Sequence, residues 1–207
     1  MDELIQQLMM LQHDEGVRTL VDARIQEFHC LSHEPGPVLF EELCFCIMTA
    51  NCSAERCLAV QDEIGSGFLR LSEDELTRKL KTLGYRFPPR AKHMISSRCF
   101  CEQLPTILTT LHGEKLREWF VNNVDGLGYK EASHFLRNIG FSEYAIIDSH
   151  IIDVLVKHRI IKEPKTVTKR RYLELEKTLK TIATKVGLSL AELDLYLWYM
   201  ETSKILK

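Results

Sequence analysis

No apolar run among these 207 residues approaches the roughly 20 residues that a membrane-spanning helix needs. The longest, around Leu43–Ala50, is short and carries cysteines. The opening Met1-Asp2-Glu3-Leu4 lacks the basic region and apolar core of a secretory signal. An intracellular, cytoplasmic protein with no membrane partner is therefore expected, nucleoid-associated if the source is a prokaryote. No cysteine follows Cys101, which excludes a four-cysteine iron–sulphur cluster near the C-terminus. The seven cysteines present, Cys30, Cys44, Cys46, Cys52, Cys57, Cys99 and Cys101, are odd in number and fall mostly in apolar helical patterns. That suits reduced core thiols. One-residue spacing turns Cys44 and Cys46 roughly 200° apart on a helix, so the sequence assigns no metal site. Solenoid repeats, low-complexity tracts and Asn-Gly hairpins between alternating strands are all missing.

Lysine is absent from residues 1–76, which hold 15 Asp/Glu against four Arg. The remainder reverses the balance, with 23 Lys/Arg against 14 Asp/Glu. Such asymmetry points either to a polyanion-facing surface or to halves that neutralise each other within a fold. The stretch Lys157–Lys185, with ten Lys/Arg against three Glu, fits a track for DNA and a solvated helix face equally well.

What the chain does have is helical periodicity. Apolar residues recur at three- and four-residue spacing through Leu4–Leu11, Val17–Phe28, Val38–Ala50, Ala54–Ile64, Glu73–Leu83, Ala91–Cys101, Pro105–Leu111 and Glu114–Asn122. The same holds for Lys130–Ile139, His150–Val156, Lys169–Val186 and Ala191–Met200. Ser53, Ser72 and Ser189 stand where N-caps belong. An all-α fold follows, with 45% hydrophobic residues to fill its core. Irregular joints at His33–Pro37 and Val124–Gly128 suggest one unit, 1–207, built of two helical lobes. Lobe one would be a bundle over 37–124, and lobe two would combine 1–36 with 125–207. A cleft between such lobes is a natural ligand site. Tyr144–Ile147 reads as an extended connector.

The most informative segment runs from Trp119 to Gly140: helix, tight turn at Gly126-Leu127-Gly128, helix, with Ala132 where the two helices must approach. Glycine permits positive φ and lets backbone meet a ligand without a Cβ in the way. Successive N–H groups followed by a helix N-terminus make an anion site, with Leu127 anchoring the turn. This is the architecture of the helix–hairpin–helix motif, which grips DNA phosphates without reading sequence. A plain αα-hairpin is the competing explanation.

Lys130 follows two residues later, at the positive end of the next helix, where an ammonium ion is disfavoured. A nucleophilic amine has to be uncharged, so the location suits chemistry. Asp148 follows Ile146-Ile147. A ten-residue helix carries the chain about 15 Å away at ~1.5 Å per residue, and the connector is long enough to return Asp148 beside Lys130. Asp148 also has an ordinary explanation as the N-cap of the next helix, and the two roles are compatible.

These residues resemble the helix–hairpin–helix DNA glycosylase superfamily, in which a Gly-x-Gly hairpin leads to a catalytic lysine and an aspartate follows a short loop. The likeness is closest to the type-two 8-oxoguanine DNA glycosylase/AP lyases. It extends over the whole chain, most clearly at Glu42–Asn51, Gly126–Asn138, Ala145–Asp148 and Leu193–Tyr199 with the terminal Lys207. Ser149 departs from the pattern, where a basic residue is expected, and that puts one phosphate contact in doubt. The resemblance implies Lys130 as nucleophile and Asp148 as essential carboxylate. It implies Gly126, Gly128 and Asn51 as DNA-binding residues, with Asn51 filling the gap left by an extruded base. It makes Trp198, Lys207 and, more weakly, Phe87 elements of base recognition. It further implies a monomer acting on damaged double-stranded DNA, no required cofactor, no metal, and room for a monovalent cation at the hairpin. Two other readings stay open: a glycosylase of the same superfamily for another oxidised base, and a non-catalytic DNA-binding module.

Overall fold

The computed structural model describes residues Met1–Lys207. It is helical throughout, without a strand, as the periodicity requires. The helices are α1 Asp2–His13, α2 Glu15–Leu31, α3 Gly36–Thr49, α4 Ala54–Ile64, α5 Gly67–Arg70, α6 Glu73–Thr82, α7 Ala91–Ser97, α8 Leu104–Thr110, α9 Gly113–Asn123, α10 Tyr129–Asn138, α11 Ser149–Lys157, α12 Lys169–Val186 and α13 Leu190–Thr202. Short 3₁₀ segments occupy Pro88–Arg90 and Arg98–Gln103. Helix starts are chemically marked. The hydroxyls of Ser53, Ser72 and Ser189 accept from the N–H groups of Arg56, Glu75 and Glu192 at 3.4, 3.3 and 3.1 Å. A serine cap of this kind typically contributes about 1 kcal/mol.

The stretch Ala91–Cys101, read from its pattern as one helix, divides into α7 and the 3₁₀ segment Arg98–Gln103. A tertiary contact explains the change. A Cβ on Gly36 would lie 2.2 Å from the Cys101 carbonyl oxygen, so backbone meets backbone where α3 begins. Arg98 ties the same segment down through Nε to Phe68 O at 2.8 Å and Nη2 to Leu71 O at 2.6 Å.

The chain forms two compact units. One comprises Cys30–Ile139. Its centre is α3, where Leu39, Phe40 and every residue from Leu43 to Met48 are essentially inaccessible. A helix apolar on all sides belongs in an interior, and α3 is surrounded by α4, α5, α7, α8 and α10. The buried Glu42 carboxylate is satisfied by Asn138 Nδ2 at 2.5 Å and Gln61 Nε2 at 3.4 Å, the condition under which a buried charge is tolerated. This unit is longer than the expected bundle of 37–124 and takes in α10, because α10 packs on α3 and α9.

The other unit comprises Met1–His29 and Gly140–Lys207. Here α1 packs on α12 and α13, and α11 packs on α13. The acidic start of the chain therefore meets the basic α12 within one unit. Lys157 pairs with Glu201 at 3.4 Å, and His158 Nδ1 lies 3.7 Å from Glu3 Oε2. The connector Tyr144–Ile147 is buried, so its backbone groups need protein partners. Side chains of α12 supply them. Glu176 Oε2 accepts from Ala145 N at 3.0 Å. Tyr172 Oη accepts from Ile147 N at 3.2 Å and donates to Ala145 O at 2.6 Å.

Candidate active site

The hairpin is built from inside the unit Cys30–Ile139. Phe120 of α9 and Phe135 of α10 are buried and pack edge to face, 4.9 Å between ring centroids. Arg117 of α9, only 1% exposed, bonds the Glu114 carboxylate and reaches Ser133 Oγ of α10 at 3.2 Å. Its guanidinium also lies 5.1 Å from the Tyr129 ring centroid, and Tyr129 Oη donates to Glu114 Oε1 at 2.8 Å. A buried, multiply bonded charge rigidifies the joint between two helices. Leu127 is buried at the tip and its N–H donates to Val124 O at 3.3 Å.

The two glycines differ. Gly126 has φ 84°, and a Cβ there would sit 3.2 Å from the His93 ring. Gly128 has φ −90° and ψ −172°, ordinary extended backbone. Positive φ, expected of the turn, is therefore a requirement at Gly126 only. Both glycines are exposed.

Lys130 occupies the first turn of α10, with its side chain 24% exposed. The residue that the sequence reading missed is Glu131. Its Oε2 accepts the Gly128 N–H at 3.1 Å, and its Oε1 lies 3.8 Å from Lys130 Nζ. The helix end that disfavours an ammonium ion thus carries a carboxylate that offsets the effect. A glutamate three residues after the cap position was the available signal.

Asn51 stands exposed just beyond α3, with φ 54°. Phe87 is half-buried, with Arg90 4.4 Å and Arg86 5.2 Å from its ring centroid. Tyr85 packs edge-on against it at 6.2 Å. Burial pushes the Tyr85 phenol well above its ordinary range, partly offset by Arg90, so it remains a donor.

The other unit carries Asp148, Trp198 and Lys207. Asp148 caps α11, its Oδ1 accepting from Ile151 N at 3.0 Å. The buried connector fixes where the cap stands, and the carboxylate is only half-buried. Trp198 on α13 meets the His150 ring edge to face at 4.8 Å. Its Nε1–H is buried and has no hydrogen-bond acceptor, a cost of about 1–3 kcal/mol that an acceptor on a ligand can remove. Lys207 ends the chain half-buried.

An all-helical protein with a two-glycine hairpin, a partly exposed lysine at the following helix start and a capping aspartate belongs to the helix–hairpin–helix class of lysine-bearing glycosylase folds. More particularly, the chain belongs to the 8-oxoguanine DNA glycosylase family, whose Ogg-HhH sequence model matches residues 21–188. It is 46% identical over 207 residues to the 8-oxoguanine DNA glycosylase/AP lyase of Methanocaldococcus jannaschii, covering 99% of each chain. The structure of the M. jannaschii glycosylase/lyase, solved with a 15mer DNA containing 8-oxoguanine, superposes with a TM-score of 0.96, at 44% identity and covering 99% of this chain and 100% of that one. The 8-oxoguanine DNA glycosylase of Thermotoga maritima gives a TM-score of 0.92 at 39% identity, covering 100% of this chain and 99% of that one.

Proposed function

We propose that this protein excises 8-oxoguanine from double-stranded DNA and then cleaves the strand, with Lys130 as nucleophile and Asp148 as the assisting carboxylate. The observation that carries the reading is Lys130 itself, partly exposed on the first turn after a Gly126-Leu127-Gly128 hairpin in a chain of this family.

The chemistry follows from the groups. The hairpin backbone holds phosphates, and the damaged nucleotide rotates out of the stack at a cost of a few kcal/mol. The uncharged Lys130 amine attacks C1′. The bond from C1′ to the base breaks, and the base leaves with that electron pair and collects a proton. Asp148 stabilises positive charge developing on the sugar and helps move protons. Opening of the sugar leaves a Schiff base between C1′ and Nζ. Loss of a C2′ proton then expels the 3′ phosphate, and water releases the enzyme. Redox cofactors have no part in this sequence.

Asn51 fills the gap in the duplex, while Phe87, Trp198 and Lys207 read the base. The acceptor-less Nε1–H of Trp198 supports that role. 8-Oxoguanine differs from guanine in carrying N7–H and O8. An acceptor placed for N7–H is left unpaired by guanine, which is how a buried site discriminates. The hairpin leaves room for a monovalent cation beside the phosphates, and no chemical step runs through it. The protein acts as a monomer, in the cytoplasm.

A panel of duplexes with single lesions tests the reading. Strand cleavage at 8-oxoguanine is expected well ahead of oxidised pyrimidines. The reverse preference would make it a glycosylase for another base, and cleavage of none would reduce it to a binding module.

A further inference from the structure

The end of α3 is closed by a side chain that sequence gives no reason to single out. Arg90 closes the 3₁₀ turn Pro88–Arg90, and its Nη1 lies 2.5 Å from Ala50 O, 3.1 Å from Met48 O and 3.4 Å from Ile47 O. Tyr85 Oη accepts from the same nitrogen at 2.9 Å and donates onward to Met48 O at 2.9 Å. These are last-turn carbonyls, which a helix leaves without internal partners. Ala50 then turns the chain, and Asn51 follows immediately with a positive φ of 54°. The Cζ of the same guanidinium lies over the Phe87 ring, 4.4 Å from its centroid.

One planar cation therefore holds both the backbone from which Asn51 projects and the ring of Phe87. Arginine can do both at once because its donors lie in the plane and its faces remain available for stacking. Lysine, a point charge, cannot bond the carbonyls and cover the ring in one geometry.

We infer that Arg90 is a positioning residue that sets Asn51 and Phe87 relative to each other, coupling gap filling in the duplex to stacking on the extruded base. The inference rests on the roles proposed above for those two residues. Arg90 itself touches no reacting atom. Its effect appears only where a base has to be held as well as a gap filled.

Single-turnover excision of 8-oxoguanine with the full chain tests this, using Arg90→Lys, Phe87→Ala, Asn51→Ala and the two double variants that contain Arg90→Lys. Misplacement of a supporting group typically costs one to two orders of magnitude, so Arg90→Lys is expected to slow excision about 10-fold or more. Cleavage at a preformed abasic site, which offers no base to stack, should slow by less than about 3-fold under the same reasoning. In either the Phe87→Ala or the Asn51→Ala background the loss from Arg90→Lys should shrink, because residues acting through one another are non-additive. Equal loss in every background, or equal loss in both reactions, would overturn the inference and make Arg90 a purely structural residue. Tyr85→Phe removes the hydroxyl that bridges Arg90 to Met48 while leaving Arg90 in place. It should show the same selective loss at smaller size, so the question remains answerable if Arg90→Lys folds poorly. Wild-type protein that fails to excise 8-oxoguanine would sink the functional reading instead. Active wild type with additive losses sinks only the coupling.

Discussion

Two helices in this protein begin with a residue assigned to the chemistry, and they begin differently. Helix α11 starts on Asp148, whose carboxylate is the cap, accepting from Ile151 N at 3.0 Å. Charge and helix end agree there, since the positive end of a helix favours an anion. Helix α10 starts on Gly128, which has no side chain to cap with, and Lys130 sits in its first turn. Charge and helix end disagree there, and Glu131 moderates the conflict from 3.8 Å. The fold caps α11 with the assigned carboxylate itself, whereas α10 places the assigned amine in its first turn and draws its capping carboxylate from the next residue, Glu131.

Substitutions at the two helix starts can break or sharpen that contrast. The largest effect is expected for Asp148→Asn. Asparagine caps as well as aspartate, so the melting temperature should barely move, while excision falls by about 10²–10⁴-fold, the usual range for removing a positioned acid–base group. A matching loss of stability would show that Asp148 is only a cap. Next come the glycines. Gly126→Ala forces an L side chain into φ 84° with its Cβ 3.2 Å from the His93 ring. A destabilisation of about 1–2 kcal/mol is expected, with weaker DNA binding at fixed salt. Gly128→Ala should cost less, about 1 kcal/mol or below, because its φ is negative and its Cβ would meet only the movable end of the Glu131 side chain, at 3.1 Å. Equal effects in thermal unfolding would contradict the asymmetry of the turn. The smallest change is Glu131→Gln. It keeps an acceptor for Gly128 N–H but removes the charge near Nζ, so reaction of the lysine at neutral pH should quicken roughly 2- to 5-fold, in keeping with a partly exposed pair. A slower reaction would mean that Glu131 assists the chemistry.

Sequence carried most of the hairpin. The helix–turn–helix pattern, the burial of Leu127 and the capping position of Asp148 were all readable, because each depends on residues within one or two turns of each other. Glu131 is readable too, as the reciprocal member of a cap, since it stands three residues after Gly128. Contacts between distant segments were not legible. Nothing local says that Gly36 admits the Cys101 carbonyl, and so the division of Ala91–Cys101 into two kinds of helix was hidden. Nothing beside Pro88-Pro89 says that Arg90 turns back to carbonyls some 40 positions earlier. The membership of α10 in the unit of α3 likewise depends on packing between helices far apart in the chain, which apolar spacing alone does not specify.

The assignment of the covalent step to a single amine is tested most directly by reducing a working reaction with borohydride and finding where the DNA is attached. Wild-type protein on an 8-oxoguanine duplex should yield an adduct whose modified peptide carries the sugar on Lys130, and Lys130→Gln should yield none. An adduct of undiminished amount in Lys130→Gln, or one mapped to another lysine or the N-terminus in the wild type, would contradict the account.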